Sequence, residues 1–281
     1  MDSPRETAAR ATNRASIDKS AISRAPSRPP GVWSGFGIVA MYFLLQFGLS
    51  LMIGSGLIFV LMLQAGLRHE RADARSLALA MRASPDFRSV LAVLTMTAAA
   101  IVMTVLVRQF WRTQWTRGDL PGFGFVQPGD KSAYLGAVLL GVGVLLLGGP
   151  LTHVLAGAHP VHQDITVMAG KVSPAMRLLL AVPVVCVAPF VEELVFRGVL
   201  LSGLASRLHT GWAIVASAIV FGCVHLPDFG FAWYPIPALV VMGLALAWMR
   251  VRSGSLWPSI TLHATNNLFA MLAWFLASKP H

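Results

Sequence analysis

The sequence predicts an all-α protein, a polytopic transmembrane helix bundle of about seven spanning helices with room for an eighth. Three observations predict it. Hydrophobic residues make up 56% of the 281 residues and charged residues only 12%, about half of the roughly 25% usual in a soluble domain. Mean hydropathy is +0.67. The apolar residues fall into long uncharged runs separated by basic gaps. A chain this apolar cannot enclose its side chains in one water-soluble core, whereas in lipid a helix satisfies its own backbone polar groups.

Residues 1–32 are rich in Ser, Ala, Arg and Pro and carry Arg5, Arg10, Arg14, Lys19, Arg24 and Arg28 without hydrophobic periodicity. They are expected to form a disordered basic tail. A cleaved signal peptide fits poorly, because the next apolar run is too long for an h-region. Asp2, Glu6 and Asp18 argue against an organellar transit peptide. Residues 33–175 form a region of N-terminal transmembrane helices and loops. No charge appears between Gly31 and Leu67, a length that holds one span of about 20 residues with some to spare. Residues 89–107 and 132–154 are the second and third uncharged runs. The Arg-rich stretch 68–88, with Leu77, Leu79 and Met81 among its arginines, reads as an interfacial amphipathic helix. Residues 155–176 are the other candidate for an additional membrane segment. The last region, 176–278, holds four runs: 178–206, interrupted by Glu192, Glu193 and Arg197, then the short 210–224, then 231–249 and 256–278.

A net charge of +10 raises the question of nucleic acid. The Lys and Arg lie in the gaps between apolar runs, with no accompanying fold signature or aromatic platform. Lipid headgroups and topology signals account for them, so the lipid bilayer is an expected partner and nucleic acid is not. With seven alternating spans, the basic tail and loop 108–131 favour a cytoplasmic N-terminus, against the contrary charge of 68–88. Cys186 and Cys223 stand in apolar segments and give neither a disulfide framework nor zinc spacing. No internal repeat is visible, and the paired broken helices of a transporter are absent.

The chemistry sits in 176–278. Adjacent Glu192 and Glu193 in an apolar run cost about 2.5–3.5 kcal/mol each at mid-membrane. Arg197 follows Glu193 by four residues and shares its helical face, acid before base in the favourable order. Glu192 is rotated from Glu193 by about 100° and lacks that partner. One carboxylate is tied down and the other left free, as a structural ion pair beside a general base would require. Pro189 just before them frees a backbone carbonyl one turn earlier, a feature of helices that line cavities. His225 stands one turn after Phe221 at the end of its run, and His263 and Asn267, four apart, point the same way. Taken singly, each has a plain structural explanation: a helix cross-link, an interfacial histidine, interhelical hydrogen bonding. Together they can meet only inside a bundle.

Glu-Glu-x-x-x-Arg at 192–197, Phe-x-x-x-His at 221–225 and His-x-x-x-Asn at 263–267 resemble the three ordered motifs of the CAAX protease and bacteriocin-processing (Abi, CPBP) membrane family. The runs 243–249 and 253–260 are similar to that family's approach to its third motif, and the resemblance covers roughly residues 176–271. It implies an intramembrane endopeptidase acting on a membrane-associated protein or peptide. Glu192 would activate water with help from His225, His263 and Asn267 would stabilise the oxyanion, and Glu193 and Arg197 would hold the geometry. Glu192, His225 and His263 also form an acceptable donor set for a zinc-like ion, as in a metalloprotease, and the sequence leaves that ion open.

Other protease chemistries fail on inspection. His69-Glu-Arg-Ala-Asp73 lacks the second histidine of HExxH, Gly54-Ser-Gly56 lacks the glycine two residues before its serine, and there is no pair of intramembrane aspartates. Two non-proteolytic readings compete. One is a membrane scaffold or bacteriocin-immunity factor that keeps the polar groups for packing. The other is a proton- or ion-coupled transporter with Glu192 and His225 as a relay.

Overall fold

The computed structural model of the chain describes residues 28–68, 73–159 and 172–277. The tail up to residue 27, residues 69–72 of the HExxH-like stretch, 160–171, the middle of the 155–176 candidate for an additional membrane segment, and 278–281 lie outside the described residues. Those described contain eight helices and no strand. They are α1 Val32–Leu67, α2 Ala74–Ala83, α3 Pro85–Phe110, α4 Ser132–Ala156, α5 over 174–205, α6 Thr210–Val224, α7 Ile236–Ser253 and α8 Leu256–Ala277.

Five of them, α1, α3, α4, α5 and α7, are long and apolar enough to cross a membrane. Helix α6 is shorter, and α8, at 22 residues, is long enough but carries His263, Asn266 and Asn267. Helix α1 has 36 residues, about 54 Å at the usual rise, and exceeds a hydrocarbon layer of about 30 Å unless it tilts or projects. Its outward side chains, among them Trp33, Leu44, Phe47, Met52, Phe59 and Leu63, are exposed, which lipid tolerates and water does not.

Helix α2 lies where the amphipathic segment was expected. Asp73 caps its start by accepting from the Ser76 backbone N–H at 3.1 Å, and Ser84 caps α3 by accepting from that of Phe87 at 3.3 Å. Between α3 and α4 the chain forms a pad of aromatic side chains. Trp115 stacks on Phe125 with centroids 4.0 Å apart, and Phe125 meets both Phe190 of α5 and Trp257 of α8 at 5.8 Å. The pad ties down backbone as well: Arg250 Nη2 donates to Gly122 O at 2.7 Å, and the Leu256 N–H to Gly124 O at 2.7 Å.

Two basic residues lie inside the bundle rather than at its ends. Arg197 and Arg250 are 0% and 1% exposed, inside α5 and α7. Each has buried acceptors that hold it there, so neither guanidinium marks a membrane face.

Helices α1 and α5 touch through backbone. A Cβ at Gly203 would stand 2.6 Å from Gly31 O, and one at Gly35 would stand 3.2 Å from Leu200 Cα. Small residues at such a crossing are what lets membrane helices approach closely. The same device brings α7 onto α6, where a Cβ at Gly243 would lie 2.9 Å from Ala218 Cα.

Candidate active site

Helix α5 is not α-helical throughout. π-Helical turns at Pro183–Val187 and Leu194–Leu200 flank a short α segment, Ala188–Glu193. Pro189 contributes no N–H to the preceding turn, and Val184 O is instead taken by Asn267 Nδ2 of α8 at 2.9 Å. Wide turns of this kind are frequent where a helix serves a site. Here they bracket the two carboxylates.

Glu193 and Glu192 point to different surroundings. Glu193, fully buried, is hydrogen-bonded on both oxygens. Its Oε1 accepts from Arg197 Nη1 at 3.1 Å and from His263 Nδ1 at 3.0 Å, and its Oε2 from the Ser259 hydroxyl at 2.6 Å. Arg197 also donates to Gly243 O at 3.3 Å and lies over the Phe221 ring at 4.3 Å. A buried charge pair is tolerable only when most of its other lone pairs and protons are engaged; of the two side chains, only Arg197 Nε is buried without a partner among the described residues. Glu193 and Arg197 thus stand behind the wall of the site rather than in it. Because an ionised Glu193 accepts, His263 carries its proton on Nδ1 and turns Nε2 toward Glu192.

Glu192 lines a cavity of about 710 Å³ together with His225, His263 and Asn267. Its side chain keeps 15% exposure, and its Oε2 lies 3.8 Å from His263 Nε2, too far for a direct hydrogen bond. His225 caps the end of α6, and its Nδ1 bonds to Asp228 Oδ2 at 2.8 Å in the following 3₁₀ turn, Leu226–Phe229. That leaves Nε2 as the free nitrogen of the ring. Phe221, 1% exposed, sets both imidazoles by edge contacts, at 5.0 Å from His225 and 5.9 Å from His263.

Of the six residues marked in the sequence, four line the cavity and two, Glu193 and Arg197, brace it from behind. Asp228, Ser259 and Tyr42 were not marked. Asp228 stands three residues after His225, a spacing one helical turn could have flagged. Ser259 looks like one more small residue in an apolar helix, and Tyr42 comes from α1, far away in sequence. Among the described residues no group of three or more His, Cys, Asp or Glu side chains is arranged to hold a metal ion.

Residues 174–269 match a family model described as type II CAAX prenyl endopeptidase, Rce1-like. That segment, and not the rest of the chain, is similar to the CAAX protease family. No curated protein and no solved structure matches the chain. The matched segment contains all of α5, α6 and α7 and the part of α8 up to Phe269, and with the five apolar helices it supports an integral membrane protein. Helices α1 to α4 lie outside the match, yet α1 and α3 supply Tyr42, Phe43, Gln46, Arg88 and Met96 to the lining of the cavity.

Proposed function

We propose that the protein is an intramembrane endopeptidase of the CAAX type, hydrolysing a peptide bond in a membrane-associated protein or peptide with Glu192 as general base. The observation that carries this reading is the meeting of one unpaired carboxylate and two imidazoles in a single cavity, with Glu192 Oε2 and His263 Nε2 3.8 Å apart. A water bonded to both would be polarised at its oxygen and deprotonated by the carboxylate. His225, oriented by Asp228, presents its free nitrogen to the same water or to the leaving amine. His263 is held by Glu193 so that its position does not depend on substrate. Asn267 has spent one N–H on Val184 O and retains a second for the carbonyl oxygen.

The name of the matched family points to substrates prenylated near the C-terminus, and the exposed apolar faces of α1 and α3 are compatible with a lipidated partner. The test is cleavage by the purified protein in liposomes, with a prenylated C-terminal peptide compared with its unmodified form. Cleavage is expected in the wild type and lost in Glu192→Ala at equal abundance and equal thermal unfolding. Full activity in Glu192→Ala would end the general-base assignment. A folded wild type that cleaves no membrane-associated peptide would favour the scaffold reading.

A further inference from the structure

The motif residues and Asp228 supply the cavity with acceptors more readily than with donors. Glu192 and Asp228 accept. His263 Nδ1 is committed to Glu193, and Asn267 has one N–H committed to Val184 O. Peptide hydrolysis places its developing charge on the carbonyl oxygen, where a preorganised donor contributes most.

Outside the matched segment, α1 carries Tyr42 into the cavity lining. Tyr42 is only 3% exposed, with its ring against Phe43 at 5.2 Å. A buried tyrosine ordinarily finds a partner for its hydroxyl. Here the hydroxyl makes no hydrogen bond to any described residue, yet it is not among the polar atoms sealed from solvent, so its remaining access is the cavity itself.

The packing of α1 on α5 places that hydroxyl at the right height. Gly31 meets Gly203 and Gly35 meets Leu200, so the chain advances along α1 as it recedes along α5. Gly35, Ile38, Val39 and Tyr42 are buried along one face of α1. Tyr42 is seven residues beyond Gly35, and Glu193 is seven residues before Leu200. Seven residues along each helix in this antiparallel register bring Tyr42 to about the level of the carboxylates.

We infer that Tyr42 is a further catalytic residue of this site, its hydroxyl donating a hydrogen bond to the scissile carbonyl oxygen. The inference rests on the hydrolytic reading above. Glu192 takes one proton from water, the water oxygen forms the new C–O bond, and the carbonyl π pair moves onto the oxygen that Tyr42 faces. On collapse that pair re-forms C=O, the C–N bond breaks with its electrons on nitrogen, and Glu192 returns its proton to the leaving amine. The second hydrogen of the water stays with the new carboxyl group. Tyr42 keeps its proton throughout and only shares it more strongly as the oxygen gains charge. The N-terminal helices thereby complete the site that the three motifs begin.

The experiment is Tyr42→Phe in the full-length protein, which keeps the ring and removes one oxygen. kcat is expected to fall about 10²–10³-fold, the usual loss of an oxyanion donor, with KM held within about twofold, since the bond strengthens only in the transition state. A phosphinic peptide, whose tetrahedral oxygens mimic the intermediate, should lose affinity by the same factor while the uncleaved peptide does not. A purely packing role would leave the ratio of those two affinities unchanged. If the wild type cleaves, Glu192→Ala is dead and Tyr42→Phe keeps kcat within about threefold, the inference fails and the hydrolytic reading stands. If the wild type cleaves nothing, both fail. A Tyr42→Phe protein that does not fold would also overturn it, because the hydroxyl would then have a structural partner.

Discussion

Replacing Arg197 by methionine isolates the charge pair that carries the back wall of the site. The guanidinium is fully buried, bonds Glu193 Oε1 at 3.1 Å and Gly243 O at 3.3 Å, and covers the Phe221 ring at 4.3 Å. Methionine fills much of the same volume, so the cavity contribution is small and the loss is mainly electrostatic. Stranding one member of a buried pair costs about 3–5 kcal/mol. The Ser259 and His263 bonds to Glu193 survive, which places the expected loss at the lower end of that range. Removing both charges, Arg197→Met with Glu193→Leu, should be less damaging than removing either, because no charge is then left unpaired. The double variant still forfeits the acceptor of His263 Nδ1, an unmade buried bond worth about 1–3 kcal/mol, while Ser259 keeps Leu246 O at 3.0 Å. Reversible unfolding in mixed micelles, followed by tryptophan fluorescence, measures all four corners of the cycle. Peptidase assays on the same samples should find the double variant folded and inactive, with His263 no longer held. Two results would refute this reasoning: an Arg197→Met protein within about 1 kcal/mol of wild type, or a double variant destabilised by the sum of the singles.

Two further predictions follow from single contacts. Asp228→Asn keeps the shape of the 2.8 Å bond to His225 but withdraws its charge; kcat should drop about 10–100-fold, less than the roughly 10²–10⁴-fold of losing a positioned acid–base group outright because the imidazole stays, with unfolding unchanged, and a wild-type kcat would remove Asp228 from the mechanism. Gly203→Val pushes a side chain against Gly31 O, which even a bare Cβ would approach to 2.6 Å; overpacking of this kind costs about 1–3 kcal/mol. Separation of α1 from α5 should also reduce cleavage, since it draws Tyr42 away from Glu192, and equal activity at lowered stability would show that the α1 register does not matter to the site.

Most of the helices were legible in the sequence because lipid imposes a simple rule on composition: a span must be long, apolar and uncharged. The uncharged runs 132–154, 210–224 and 256–278 lie on α4, α6 and α8 almost end to end, and the arginine-rich 68–88 stretch contains α2. The rule fails where a charge is paired inside the bundle. Arg250 stands beside Arg252 near the end of an apolar run and reads as a loop residue, because nothing in the sequence reveals that Gly122 O, more than a hundred residues earlier, accepts from it. The aromatic pad between α3 and α4 was invisible for the same reason. Its tryptophans and phenylalanines have no periodicity and pack only because α5 and α8 arrive beside them.

At the site, helical spacing alone told that Glu193 goes with Arg197 and His263 with Asn267, since residues four apart share a face on any helix. It told also that Glu192 must look elsewhere. Which wall it looks out from, and at what, depended on how helices distant in sequence cross. Backbone contact at Gly31, Gly35 and Gly203 sets the height of Tyr42, and the π turns of α5 set the aim of the carboxylates. Side-chain chemistry is written residue by residue, whereas a cavity is the space left between helices, and that space is fixed only when the last helix has packed.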